Sequence, residues 1–537
     1  MATSENHGIH WADRIAETII TREPGKEEYV CASGISPSGS VHVGNFRDVA
    51  TSYFVCLALR KRGKKARLLF SWDEQDRFRK VPKNIPEDKI GLMSKHIGFS
   101  LAETPDPFGC HDSYAKHFEE EFEESMAHFK MDIDYKYQAA QYKSGKYTEG
   151  IITALKNRYK IFDILEGFRT QNAEEGQREN YYPVSIYCAN CHRDTTKILS
   201  LNEETMVAQY ECKCGYRGEF DFHTDHDCKL VWKVDWPMRW QYEGVDYEPA
   251  GKDHGSDGGS RDVSVRISRE IYGFEPPVFQ MYEFVGIRGL TGKMSGSSGI
   301  NITPKTMLDV YQPEIILWLY SRFVPNKAFN LCFDDEILKQ YFEFDRALSS
   351  YYDGTADDLT SRVIEYSLIP GRKIVPVPMN QLASFGSIVN FNAAALENIF
   401  AKIGAPYKTA DFSERLRLAK NWLEEYSPDS IVRLNPEFNR EYFDGLSESE
   451  KTEIEMLHQY LSGQEPSSED LRVYLYEIPK TVNSGIDGKE LRKAQSRFFK
   501  NVYQMLIGRD SGPRLYMFLG AIDKSAYLHL LNGGKEK

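Results

Sequence analysis

No stretch of the 537 residues runs apolar for 18 positions, so a membrane-spanning helix is not expected. The chain also has no apolar N-terminal signal segment, which makes the cytoplasm the expected location. Internal repeats and low-complexity tracts are missing too, which argues against a solenoid or a disordered linker protein. Cations are in deficit: 67 Lys and Arg stand against 79 Asp and Glu, a net charge of −12. That balance argues against a general nucleic-acid binder and leaves room only for a local basic face. Cysteine is scarce at nine residues, yet four of the nine fall in two tight pairs. In a reducing compartment such pairs favour metal binding over disulfides. With 41% apolar and 27% charged residues the composition is that of a globular protein, long enough for two to four domains.

What is present is organised around residues 29–45, Tyr-Val-Cys-Ala-Ser-Gly-Ile-Ser-Pro-Ser-Gly-Ser-Val-His-Val-Gly-Asn. Tyr29 to Ala32 reads as a buried strand. Gly34, Pro37 and Gly39 force a turn, and a helix begins near Val41. Its apolar positions include Phe46, Val49, Tyr53, Phe54 and Leu57, and Gly63 stops it. A second apolar run, Ala66 to Trp72, completes a βαβ unit that starts a nucleotide-binding parallel sheet. The turn lies where phosphates usually sit, at a helix N-terminus with free backbone donors. It is neither a GxGxxG loop nor a lysine-bearing phosphate loop. The helix mouth carries His42-Val43-Gly44-Asn45 after Pro37-Ser38-Gly39. A similar string, His96-Ile97-Gly98-Phe99, has no preceding strand and no glycine turn, and is read as a decoy.

Further along, His10 to Ile20 predicts a helix. At the carboxyl end of the second strand, Trp72-Asp73-Glu74-Gln75-Asp76-Arg77 sets Asp73 and Asp76 in the crevice where sheet ligands bind. Either they face a cationic substrate or they form a solvated acidic loop. Asp106, Cys110, His111 and His117 offer an acceptable tetrahedral zinc set, unless the histidines merely face solvent. Cys188 and Cys191, then Cys212 and Cys214, look like a zinc ribbon with strand-like Met206 to Tyr210 between them. His223, His226 and Cys228 lie close enough to replace one ligand, and a reactive dithiol is the rival reading. Three tryptophans fall within Leu230 to Trp240, as core or as a stacking surface. Gly251-Lys252-Asp253-His254 reads as a strand end, with an Asp suited to ribose hydroxyls. Val278 to Val285 predicts a strand, followed by Thr291-Gly292-Lys293-Met294-Ser295-Gly296. Beyond Thr303 the pattern turns helical, with segments at 315–323, 416–423, 454–461 and 491–506. Lys489, Arg492, Lys493, Arg497 and Lys500 form a stripe that is either a solvated face or a phosphate track.

Two of these stretches resemble paired signatures of class I aminoacyl-tRNA synthetases. His42-Val43-Gly44-Asn45 is similar to HIGH, and Lys293-Met294-Ser295-Gly296-Ser297 to KMSKS. With the 105–118 loop, Lys233 to Trp240 and Gly251 to His254, the chain resembles class I lysyl-tRNA synthetase from about His10 to Phe323, and more weakly to Leu515. The resemblance implies an α/β Rossmann-like parallel-sheet catalytic domain with a zinc-bearing insertion, followed by an α-helical bundle that binds the anticodon region. The divisions it predicts are 1–100 and 230–300 for the two catalytic halves, 101–229 for the insertion, 301–345 for a stem, and 346–537 for the bundle. It implies lysine, ATP with Mg2+, and tRNA(Lys) as partners, and Zn2+ as a structural ion. His42, Asn45, Lys293 and Ser295 would serve the phosphates within the turn of Pro37 and Gly39. Gly44, Gly251 and Asp253 would hold the adenosine. Gly34, Ser36, Trp232, His254 and Tyr282 would line the lysine pocket, to which the charge argument adds Asp73, or else Asp76. The alternatives are a synthetase for glutamate or arginine, a nucleotidyltransferase of the same superfamily, or a non-catalytic tRNA-binding relative.

Overall fold

A computed structural model describes residues 8–169, 174–255, 258–289, 302–405 and 407–534. The chain forms two compact units. The first holds the described residues up to Leu308 with Pro313–Leu331 and Asp353–Arg372; the second holds Asp309–Gln312, Cys332–Tyr352 and the described residues from Lys373.

The first unit is built on five strands: Glu28–Ile35 (β1), Lys65–Trp72 (β2), Ile133–Tyr137 (β3), Tyr247–Gly251 (β4) and Val278–Tyr282 (β5). All are parallel, in the order β5-β4-β1-β2-β3. β1 and β2 are buried through most of their length, as parallel strands covered on both faces must be. Between them runs the helix Val43–Lys61 (α1), capped at its start by His42 and followed at its end by Gly63 at φ +73°. The chain passes from β1 to β2 on one side and returns with β4 on the other. β1 is therefore the switch point, and ligands of such sheets bind beyond its carboxyl end.

The helix Trp232–Glu243 (α2) covers one sheet face, setting Trp236 and Trp240 against Val30, Ala32, Leu69, Val245 and Ala250. Residues 101–229, expected as an insertion throughout, contribute β3 to the central sheet. Its polar residues Asp134 and Lys136 alternate with Ile133, Tyr135 and Tyr137, a half-buried strand rather than an apolar run. After it come short helices, a three-stranded antiparallel sheet (Thr196–Asn202, Val207–Cys212, Arg217–Asp221) and the pair Val184–Ile186 with Cys228–Leu230. The run expected over 278–285 is broken: a separate strand, Val285–Arg288, pairs with Phe329–Cys332.

The second unit is helical. Among its helices are Glu336–Tyr352, Thr409–Tyr426, Glu448–Gly463, Ser468–Val482 and Gly488–Ile507. One core gathers Ile454, Leu457, Leu475, Phe498 and Val502. Elsewhere in the unit, Arg415 is buried and holds Asp345 at 2.9 Å, with Gln312 and the Val377 carbonyl as further acceptors.

Candidate active site

At the carboxyl ends of β1, β2 and β4 opens a cleft of about 1280 Å³. It brings together Gly34, Ser36, Gly39, His42, Asn45, Asp73, Trp232, Gly251, His254 and Tyr282. Of the other expected residues, Asp76 lines the cleft too, while buried Pro37, exposed Asp253 and Gly44 stand outside the lining. Lys293 and Ser295 lie outside the described residues.

His42 shows how the turn works. Its Nδ1 accepts hydrogen bonds from the backbone N–H groups of Gly44 (3.1 Å) and Asn45 (3.3 Å), capping α1. That role requires an unprotonated Nδ1, so the proton sits on Nε2. Burial lowers the pKa of the ring and keeps it neutral. The imidazole therefore presents one N–H donor into the cleft at a helix N-terminus, where anions are favoured. A Cβ on Gly44 would come within 2.9 Å of two atoms of this ring, so the glycine makes room for the cap itself. Gly34 answers a similar constraint, since a Cβ there would meet the Ser71 carbonyl oxygen at 3.1 Å. Its N–H donates to Asp48 at 3.2 Å, and the Tyr282 hydroxyl meets the same carboxyl. Burial pushes Asp48 up to about 8, which holds it protonated at neutral pH.

Deeper in the cleft lies a network of buried charges. Asp73 accepts from Arg239 Nη1 at 2.6 Å, so the carboxylate expected to meet a substrate cation already holds one from the protein. Arg239 Nε lies 3.2 Å from Asp235, which also binds Lys229 at 2.6 Å and the Tyr142 hydroxyl. Asp76 stands 3.6 Å from Lys229. Beside the network Trp232 and Trp236 stack at 5.0 Å, with His254 about 6 Å from both rings. Glu248, on β4, accepts from the indole N–H groups of Trp236 (2.9 Å) and Trp240.

Asp48, Lys229, Asp235, Arg239 and Glu248 are not among the residues expected at the site from sequence. A charge within an otherwise apolar strand or helix is the available signal, because such groups are seldom buried without partners.

The family model for tRNA synthetases class I (K) matches residues 9–370. The chain belongs to that family. It is similar to the lysine–tRNA ligase of Pyrococcus horikoshii, at 37% identity over 96% of this chain and 98% of the other. It is 38% identical to that of Pyrococcus furiosus with the same coverage of both chains. To the lysine–tRNA ligase of Borreliella burgdorferi it is 35% identical, over 96% and 97%.

Two donor clusters stand outside the lining of this synthetase's cleft. The sulfurs of Cys188, Cys191, Cys212 and Cys214 lie within 4.8 Å of one another, with Cys188–Cys214 at 3.8 Å and Cys191–Cys212 at 3.6 Å. Four thiolates around a tetrahedral zinc stand roughly 3.8 Å apart, given Zn–S distances of about 2.3 Å. Gly215 at φ +91° closes the second knuckle. His223, His226 and Cys228 stand outside the group. In the other cluster, Asp106 Oδ2 receives the N–H groups of Cys110 and His111 (both 2.9 Å), while Cys110 Sγ lies 3.1 and 3.3 Å from Nδ1 of His111 and His117. His111 Nε2 meets Glu120 at 3.0 Å, the outer partner that ligating histidines commonly have.

Proposed function

We propose that this class I synthetase is a lysine–tRNA ligase. It activates L-lysine with ATP and esterifies the 3′ end of tRNA(Lys). The observation that carries the reading is the 35–38% identity with lysine–tRNA ligases over nearly the whole length of both chains.

In the first step an oxygen of the lysine carboxylate attacks the α-phosphorus of ATP, the bond to the β-phosphate bridge breaks, and pyrophosphate leaves. In the second a terminal ribose hydroxyl of tRNA attacks the carbonyl carbon, and AMP departs. No protein nucleophile is needed, so catalysis rests on positioning and on stabilising charge at phosphorus. The reading assigns His42 Nε2–H and Lys293 to the phosphate oxygens, with Asn45, Ser295 and the Pro37–Gly39 turn beside them. Gly44, Gly251 and Asp253 belong to the adenosine side. Gly34, Ser36, Trp232, His254 and Tyr282 line the amino-acid side, where Asp73 acts through Arg239. ATP brings Mg2+, which offsets phosphate charge. Each donor cluster has the chemistry of a zinc site: four thiolates in one, and two imidazoles, a thiolate and a carboxylate in the other.

ATP–pyrophosphate exchange with each of the twenty amino acids, with and without tRNA, tests the assignment. Lysine is expected to drive exchange best. Exchange driven best by glutamate or arginine would overturn it.

A further inference from the structure

We propose that Glu248 is the residue that recognises the ε-ammonium of the substrate amino acid. The proposal rests on the lysine reading above and names the group that enforces it. A substrate ammonium taken out of water needs an anionic partner. Of the cleft carboxyls, Asp73 is held by Arg239 at 2.6 Å, and Asp48 faces the Gly34 N–H and the Tyr282 hydroxyl. Asp76 has Lys229 at 3.6 Å, so a second cation approaching it meets a like charge. Glu248 differs. Both of its recorded donors, the Trp236 and Trp240 indoles, bond to Oε2, and Oε1 has none among the described residues.

Its position fits as well. Glu248 lines the cleft three residues before Gly251, roughly 10 Å down β4 from the strand end. That is about the span of an extended lysine whose carboxylate lies at the phosphate side. The stacked Trp232 and Trp236, both in the cleft lining, offer an aromatic wall for the methylene stem, with the Arg239 guanidinium already 5.3 Å from the Trp232 ring centre. Beside it the ion-paired cluster sets three carboxylates (Asp73, Asp76 and Asp235) against two cations, Lys229 and Arg239, so Glu248 adds a fourth carboxylate that no ion pair among the described residues takes up. Burial pushes the Glu248 carboxyl up to about 7, against the pull of the two indoles and of the Arg239 charge, which acts on it without forming an ion pair. A bound ammonium relieves that cost and restores the charged form.

Glu248→Gln tests the idea with little change of shape, because the amide oxygen can still accept from both indoles. The KM for lysine is expected to rise by about 10- to 100-fold, the worth of a hydrogen bond to a charged group. The KM for ATP should stay within about twofold, and the preference for lysine over 6-hydroxynorleucine should shrink. An unchanged lysine KM in a variant with normal ATP KM overturns the proposal. So does a selective lysine defect in Asp76→Asn that exceeds that of Glu248→Gln. A second readout needs no variant: with 15N-labelled tryptophan, lysine should shift the indole N–H resonances of Trp236 and Trp240 while norleucine leaves them in place. Equal shifts with both ligands count against it. If the wild-type enzyme activates a different amino acid, the ligase reading itself falls, an outcome distinct from lysine activation that is indifferent to Glu248.

Discussion

His10 occupies a site that suits only its neutral form. Nδ1 accepts from the Ala12 N–H at 3.2 Å, and Nε2 bonds the Ser321 carbonyl at 3.0 Å. Burial lowers its pKa from 6.5 to about 4. A depressed pKa means the stabilisation is fully present above about 6.5 and is lost as pH falls through about 4. The shift corresponds to about 3 kcal/mol at most. His10→Asn keeps a good N-cap and removes the proton linkage. Urea unfolding between pH 7 and 4 should therefore fall more steeply for the wild type than for the variant, and parallel slopes would refute the linkage. The same distinction governs what was legible residue by residue. His42 could be read from sequence because its role is local, two and three residues from the groups it caps. Glu248 and Arg239 could not, since the partners that define them, Trp236 and Asp73, come from separate elements.

Among the elements, the cysteine ribbon is tied together by a cluster of four sulfurs at its two knuckles. Its strands Thr196–Asn202 and Arg217–Asp221 are mostly exposed or half-buried; Phe220, Ile198 and Leu201 tie them to a core, while the knuckles at Cys188–Cys191 and Cys212–Cys214 meet through their sulfurs. A zinc held by four thiolates supplies folding energy outright. Cys191→Ser should release bound zinc and raise amide hydrogen exchange across residues 184–230, while β1 and β2 stay protected. Unchanged exchange with a full metal complement would count against the site. The elements best read from sequence were those with apolar runs or clear helical spacing: β1, β2, α1 and the helices beyond 313. β3 escapes a search for apolar runs because, at the sheet edge, charged Asp134 and Lys136 alternate with Ile133, Tyr135 and Tyr137. β5 was read too long because Glu283 and Phe284 look like strand yet turn away, the Glu283 N–H bonding to Pro325.

At the scale of the molecule the puzzle is charge, for a chain of net charge −12 that acts on tRNA is repelled by it at long range. Binding then depends on cations that no carboxylate already neutralises. Three of the five stripe cations on Gly488–Ile507 are matched: Lys493 pairs with Glu490 at 3.0 Å, Arg497 with Glu450 at 2.9 Å, and Lys500 with Asp510 at 2.9 Å. Arg79, Lys80 and Lys83 are different. They are exposed and make no ion pair or hydrogen bond among the described residues, Asp194 reaching Arg79 only at longer range, and Arg79 and Lys80 line the cleft. Phe78 and Ile85 anchor this segment in a core with Leu101 and Phe118, so its cations are held at the mouth rather than trailing from it. Each phosphate contact adds roughly 0.7–0.9 to the slope of log affinity against log salt. Arg79→Ala with Lys80→Ala should thus weaken tRNA binding and flatten that slope by about 1.5. Lys493→Ala with Lys500→Ala should leave the slope almost unchanged, because removing a paired cation also frees its carboxylate and releases few counterions. The opposite pattern, a flattened slope for the helix pair and none for the cleft pair, would move the phosphate track to the second unit.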